Sequence, residues 1–143
     1  MRYQQAAATA MEAGLGADAD QLPATALAER LLLTMLDFGR ERMGFTRIVL
    51  QASPNPHLTA AAAGMMEVAT THFAAVLTCR HPTLPAANSA LVARVALTAV
   101  MALLGLLIAE KPRGEDYANA LLHETHTLLA AYLLAYEARA LQG

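Results

Sequence analysis

The sequence predicts an all-α protein, an orthogonal or bundled helical domain of five to six helices, and three observations predict it. Proline and glycine cut the chain into five segments, each rich in the helix formers alanine and leucine. β-Branched residues are isolated rather than alternating, so the period-two pattern of a strand is missing. Apolar residues instead recur at three- and four-residue spacing, the pattern of one buried helix face.

A first helix covers about Tyr3 to Ala13 and is ended by "GLGADADQLP", whose glycines and Pro23 cannot continue it. The second, about Thr25 to Met43, carries Leu27, Leu31, Met35 and Phe38 as one core stripe. Gly44 breaks it, Phe45 to Gln51 can form a short helix, and Pro54 and Pro56 set a turn. From Leu58 to Arg80 the wheel aligns Leu58, Met65, Ala69, His72, Val76 and Cys79, with Glu67, Thr71 and Thr78 opposite. The "HPTLPAANS" turn then leads into about Ala87 to Glu110, apolar nearly all round and therefore covered on more than one side. Its one interruption is the strip Arg94, Thr98, Met101 and Gly105. "EKPRGED" ends this helix, and Glu115 and Asp116 place negative charge at the N-terminus of the next. That last helix, about Asp116 to Leu141, stacks Leu121, Leu122, Leu128, Leu129, Tyr132, Leu133 and Tyr136 on one face.

No internal repeat or low-complexity linker divides residues 1–143, which suit a single domain. Apolar residues reach 56% against 15% charged, more than one small globule needs for its own interior, and the surplus predicts a partner surface. The net charge of −2 and ten scattered basic residues exclude a basic patch for nucleic acid. Only "RERMGFTR", Arg40 to Arg47, gathers positive charge; Glu41 dilutes it, which favours a solvated helix end over a phosphate site. Cys79 is the single cysteine, so neither an internal disulfide nor a cysteine-built zinc cluster can form, and the expected compartment is a reducing one. "MRYQQAAATAMEAG" lacks the features of a secretory leader. The longest apolar run, Val95 to Ala109 with Arg94 at its edge, falls short of the ~20 residues of a membrane span. A soluble cytoplasmic protein is the expectation.

The stretch that most resembles chemistry is "LLHETHTLL". A zinc-hydrolase helix spaces its histidines by four, ~40° apart around the axis; His123 and His126 are three apart, offset by ~60°. Both rings can still reach one side. Glu124, however, lies ~100° from His123 and ~160° from His126, badly placed to serve a water on a metal held by both. An interface metal site completed by Glu137 or a histidine of a second subunit is the weaker alternative, and histidines on a polar or intersubunit face are preferred. No Gly-rich phosphate loop, nucleophile elbow or EF-hand loop is present. No catalytic residue, metal site or cofactor is therefore expected. His72 within an apolar stripe is either a hydrogen-bonded core residue or a pocket lining. Arg94 either meets a ligand or intersubunit acid or snorkels to water. Met65, Met66, Met101 and Phe73 can make an adaptable pocket wall, though such spacing also suits plain core.

Two stretches carry a family resemblance. "LLLTMLDFGRERMGFTRIVLQASPNPHL" is similar to the helix, break, Phe-x-Arg-apolar run and Pro-rich turn of the C-terminal regulatory domain of TetR-family transcriptional regulators. "LVARVALTAVMALLGLLIAEKPRGEDYANALLHETHTLLAAYLLAY" resembles that domain's last two long helices and closing Tyr-Leu. The resemblance implies an effector pocket inside the helical domain and a homodimer built as an intersubunit four-helix bundle. The dimer helices would be about Ala87 to Glu110 and Asp116 to Ala138. The candidate ligand-binding residues are Phe38, Met66, His72, Phe73, Arg94, Thr98 and Met101, and the expected ligand is small and mostly apolar. The family's DNA-reading helix-turn-helix has no counterpart here, and the first helix looks like the linker that follows it. The chain is thus not expected to bind DNA alone. It would be either the regulatory half of a longer repressor, which its starting point favours, or a headless relative. A helical dimerisation scaffold without a ligand is the alternative reading, and a metal-dependent hydrolase using His123 and His126 a remote one.

Overall fold

The computed structural model describes residues 2–42 and 56–142. Among the described residues five α-helices follow one another: α1 (Arg2–Leu15), α2 (Ala24–Glu41), α3 (Pro56–Arg80), α4 (Ala86–Ala109) and α5 (Glu115–Gln142). Single 3₁₀ turns occupy Ala19–Gln21 and Lys111–Arg113, and no strand occurs among the described residues. The sequence places the same helices within one or two residues at each end. The expected short helix over Phe45 to Gln51 and the turn at Pro54 lie outside the described residues.

Helix α2 packs against α5 and α1, α3 against α1 and α4, and α4 against α5. All five contribute to one contiguous apolar core, including Met11, Leu31, Phe73, Leu97 and Leu133. The predicted stripe of α2 is buried as a unit, with Leu27 and Leu31 fully enclosed. Burying each such leucine contributes about 1.5–3 kcal/mol.

Helix α1 ends at Gly16, whose φ of 81° lies in the left-handed region that only glycine adopts at little cost. Arg30 of α2 then ties the end down: its Nη1 donates to the Leu15 carbonyl at 2.8 Å and to Asp18 Oδ1 at 2.7 Å. Farther back, Gly14 lets α1 sit directly against Thr34; a Cβ there would come within 2.8 Å of the Thr34 Cβ. The absence of a side chain thus sets the approach of the two helices.

Two predicted faces need correction. In α3 the inward residues are Ala69, Thr70, Phe73 and Leu77, while His72 and Val76 are half-buried and Cys79 is exposed. Alanines make both sides of this helix nearly equally apolar on a wheel, and the larger apolar area of Phe73 and Leu77 decides which side turns in. In α5 the core takes Leu129, Ala130, Leu133 and Tyr136, whereas Leu128 is 60% exposed. By length and composition α4 and the Thr59–Arg80 part of α3 could each cross a membrane, although the apolar run from Val95 alone is too short. Ala93, Ala96, Leu97, Val100 and Leu103 of α4 spend that apolarity in the protein core. Its opposite face leaves Leu91, Val95 and Leu106 in the open.

Candidate functional site

A cavity of about 70 Å³ lies where α1, α2, α3 and α4 converge. Helix α1 supplies Ala7, Ala10 and Met11, and α2 supplies Thr34, Met35, Phe38 and Gly39. Facing them are Ala62, Met65, Met66 and Ala69 of α3, with Met101 and Leu104 of α4 closing the far side. Small residues on α1 and α3 keep the helix backbones close to the space, and methionines fill its irregular margins. Thr34 is the one polar side chain among the described lining residues, and its hydroxyl already donates to the Arg30 carbonyl at 2.6 Å. An ionised ligand would therefore be stripped of water with no counter-charge, which burial penalises heavily. Arg42 stacks its guanidinium over the Phe38 ring, 4.3 Å from the centroid.

Three of the seven candidate residues, Phe38, Met66 and Met101, line this cavity. The other four stand elsewhere. Phe73 is fully enclosed in the core, and half-buried His72 is not among the lining residues. Arg94 forms an ion pair with Glu67 across the exposed α3–α4 surface, and the Thr98 hydroxyl donates to the Arg94 carbonyl at 2.7 Å. Both are exposed residues of α4 outside the cavity lining, on the same strip as Met101. Met11 and the α1 alanines escaped sequence reasoning because nothing local tells which side of a short alanine-rich helix will face a gap, while Met35 was read as core of α2 and not as lining.

The two histidines of α5 part company. His123 is exposed, whereas His126 Nε2 meets the Thr25 carbonyl at 3.0 Å, tying α5 to the start of α2. That bond requires the proton on Nε2, which leaves this nitrogen unable to ligate a metal in the same arrangement. Both rings border a shallow cleft with Glu29, Leu33, Leu36 and Arg40. No three histidine, cysteine, aspartate or glutamate side chains converge among the described residues.

A second polar cluster was not foreseen. Arg80, at the end of α3 with its side chain only 8% exposed, pairs with Glu137 of α5 and donates to the carbonyls of Ala19, Asp20 and Leu22. His81 Nε2 lies 3.3 Å from Glu137 Oε1, near enough for a charge interaction but without hydrogen-bond alignment. Beside it the Tyr136 hydroxyl pairs with buried Ser89 at 2.8 Å, and the Tyr136 and His81 rings meet edge-on at 5.6 Å. This cluster joins α3, α5 and the α1–α2 connection in one knot. Perturbed ionisation belongs to the helix joints instead. The Arg30 hydrogen bond holds the Asp18 carboxyl below its ordinary range, and Arg113 followed by Tyr117 does the same for Glu110. Desolvation, then the bond to Glu110, raises the Tyr117 hydroxyl. None of these groups borders the cavity.

The family model described as tetracyclin repressor-like, C-terminal domain, matches residues 23–133. No curated protein and no solved structure matches the chain.

Proposed function

Because the chain belongs to the tetracyclin repressor-like C-terminal domain family, we propose that residues 1–143 form the ligand-sensing and dimerisation domain of a TetR-like transcriptional regulator. The family is a regulatory one, so binding rather than covalent chemistry is the expected mode of action. The observation that carries the reading is the apolar cavity with α1 as one of its walls. In a regulator of this kind α1 is the helix next to the DNA-reading head. A small, mostly apolar effector filling the cavity presses on Ala7, Ala10 and Met11, and favours one placement of α1 over another. The ligand acts through its differential affinity for those two arrangements.

Homodimerisation is the second half of the proposal. Leu91, Val95 and Leu106 of α4, and Leu128, Leu134 and Leu141 of α5, are the large apolar side chains that these helices leave exposed. Apolar side chains spaced this way along two neighbouring helices suit a four-helix bundle with a second copy. A cytoplasmic location accompanies this reading.

Ligand binding is tested by thermal unfolding with a panel of small apolar compounds. A binder present at 100 times its Kd raises stability by about 2.7 kcal/mol. Ala62→Phe, which fills the cavity from a half-buried position, is expected to abolish every ligand-induced shift while the protein stays folded. No shift with any compound, or shifts unchanged in the variant, would move the reading toward a dimerisation scaffold.

A further inference from the structure

We infer that the cavity takes an uncharged aromatic molecule, gripped by methionine thioethers; the inference rests on the effector-pocket reading above. Five of the chain's seven methionines line this one space: Met11, Met35, Met65, Met66 and Met101. They come from all four surrounding helices, so no local sequence repeat accounts for the gathering. Among the described lining residues Leu104 is the only branched aliphatic side chain, and none is valine or isoleucine. Thioether sulfur is polarisable and makes favourable contacts with aromatic rings that an aliphatic ring cannot return.

Polarity narrows the class further. With no charged group among the described lining residues, and with the Thr34 proton already committed, carboxylates, ammonium groups and sugars would find no described partner there. At about 70 Å³ the cavity is smaller than the roughly 150 Å³ that holds a benzene in an engineered apolar cavity. A ring must therefore displace side chains as it enters. Methionine, unbranched with three rotatable side-chain bonds, yields more readily than a β-branched wall.

Toluene and methylcyclohexane provide the test, because they match in shape and differ in aromaticity. Methylcyclohexane is driven from water more strongly, so a merely greasy slot would favour it. Titration of the protein carrying ¹³C-methyl methionine is expected to give toluene at least threefold tighter binding, with ring-current shifts at the methyls of Met65, Met66 and Met101. Met65→Leu/Met66→Leu/Met101→Leu keeps volume and removes three of the five sulfurs. It should narrow the preference while methylcyclohexane still binds. Tighter binding of methylcyclohexane to the unaltered protein, or a toluene preference undiminished in the triple variant, overturns the aromatic inference and leaves an apolar effector pocket standing. No response of any cavity methyl to either compound counts against the pocket itself.

Discussion

Arg80 is heavily committed. Three carbonyls of residues 19–22 and the Glu137 carboxylate all face its guanidinium, in a position nearly closed to water. Arg80→Met leaves Glu137 and those carbonyls short of a donor, and is expected to cost about 3 kcal/mol in chemical denaturation. Adding Glu137→Leu should recover part of that loss, because the stranded carboxylate accounts for part of it. Nothing in the sequence marks this pair. Its members stand 57 residues apart, and no local pattern says which of ten basic residues will be buried. The exposed ion pairs act differently, through pH. Asp18 and Glu110 are held below their ordinary ionisation range, so they stabilise the fold above about pH 4, where the unfolded carboxylates are also ionised. That contribution is lost as pH falls through their folded-state values. The melting temperature should fall in acid, and Asp18→Asn should make the fall shallower.

At the scale of the helix, α1 shows how a missing side chain positions an element. Gly14→Ala would gain about 1 kcal/mol of helix propensity on an isolated helix. Here the new methyl meets Thr34 on α2, so a net destabilisation of about 1–2 kcal/mol is expected, relieved in part by Thr34→Ala in the same chain, which removes the Oγ1 and Cγ2 contacts but keeps the Cβ. Comparison of thermal midpoints for the two variants checks this. Helix α2 was legible from sequence because its bulky residues fall on one side at three- and four-residue spacing. Helix α3 was legible in extent but not in orientation: alanine flattens the contrast between its faces, and Phe73 rather than His72 turns inward only because of its larger apolar area. The candidate site divides in the same way. Phe38, Met66 and Met101 were placed at the pocket by position from the family resemblance, whereas the α1 wall depends on how α1 crosses α2 and α3. That crossing is tertiary information.

For the whole molecule, the proposed dimer face makes the clearest demand. Leu128 and Leu134 are 60% and 51% exposed in the single chain, so replacing both with glutamate should change folding by no more than about 0.5 kcal/mol at each site. Assembly should respond much more strongly. The double variant is expected to run as a monomer by light scattering at micromolar concentration, with unchanged helicity, where the unaltered chain runs as a dimer. Surplus apolarity was visible in composition from the outset, although composition could not distinguish a face awaiting a second copy from one packed in the core. The anchoring of the α1–α2 connection has a mechanical consequence as well. Arg30 and Arg80 fix the chain from Leu15 to Leu22, while α1 runs back from Gly16 past the cavity to Arg2. At a rise of ~1.5 Å per residue, Ala7 stands ~13 Å and Arg2 ~21 Å from that fulcrum. A rigid lever with those arms turns ~1 Å of push at the cavity wall into ~1.6 Å at Arg2. The same ratio runs in reverse, so a load on the far end of α1 reaches the cavity with its travel reduced and its force multiplied.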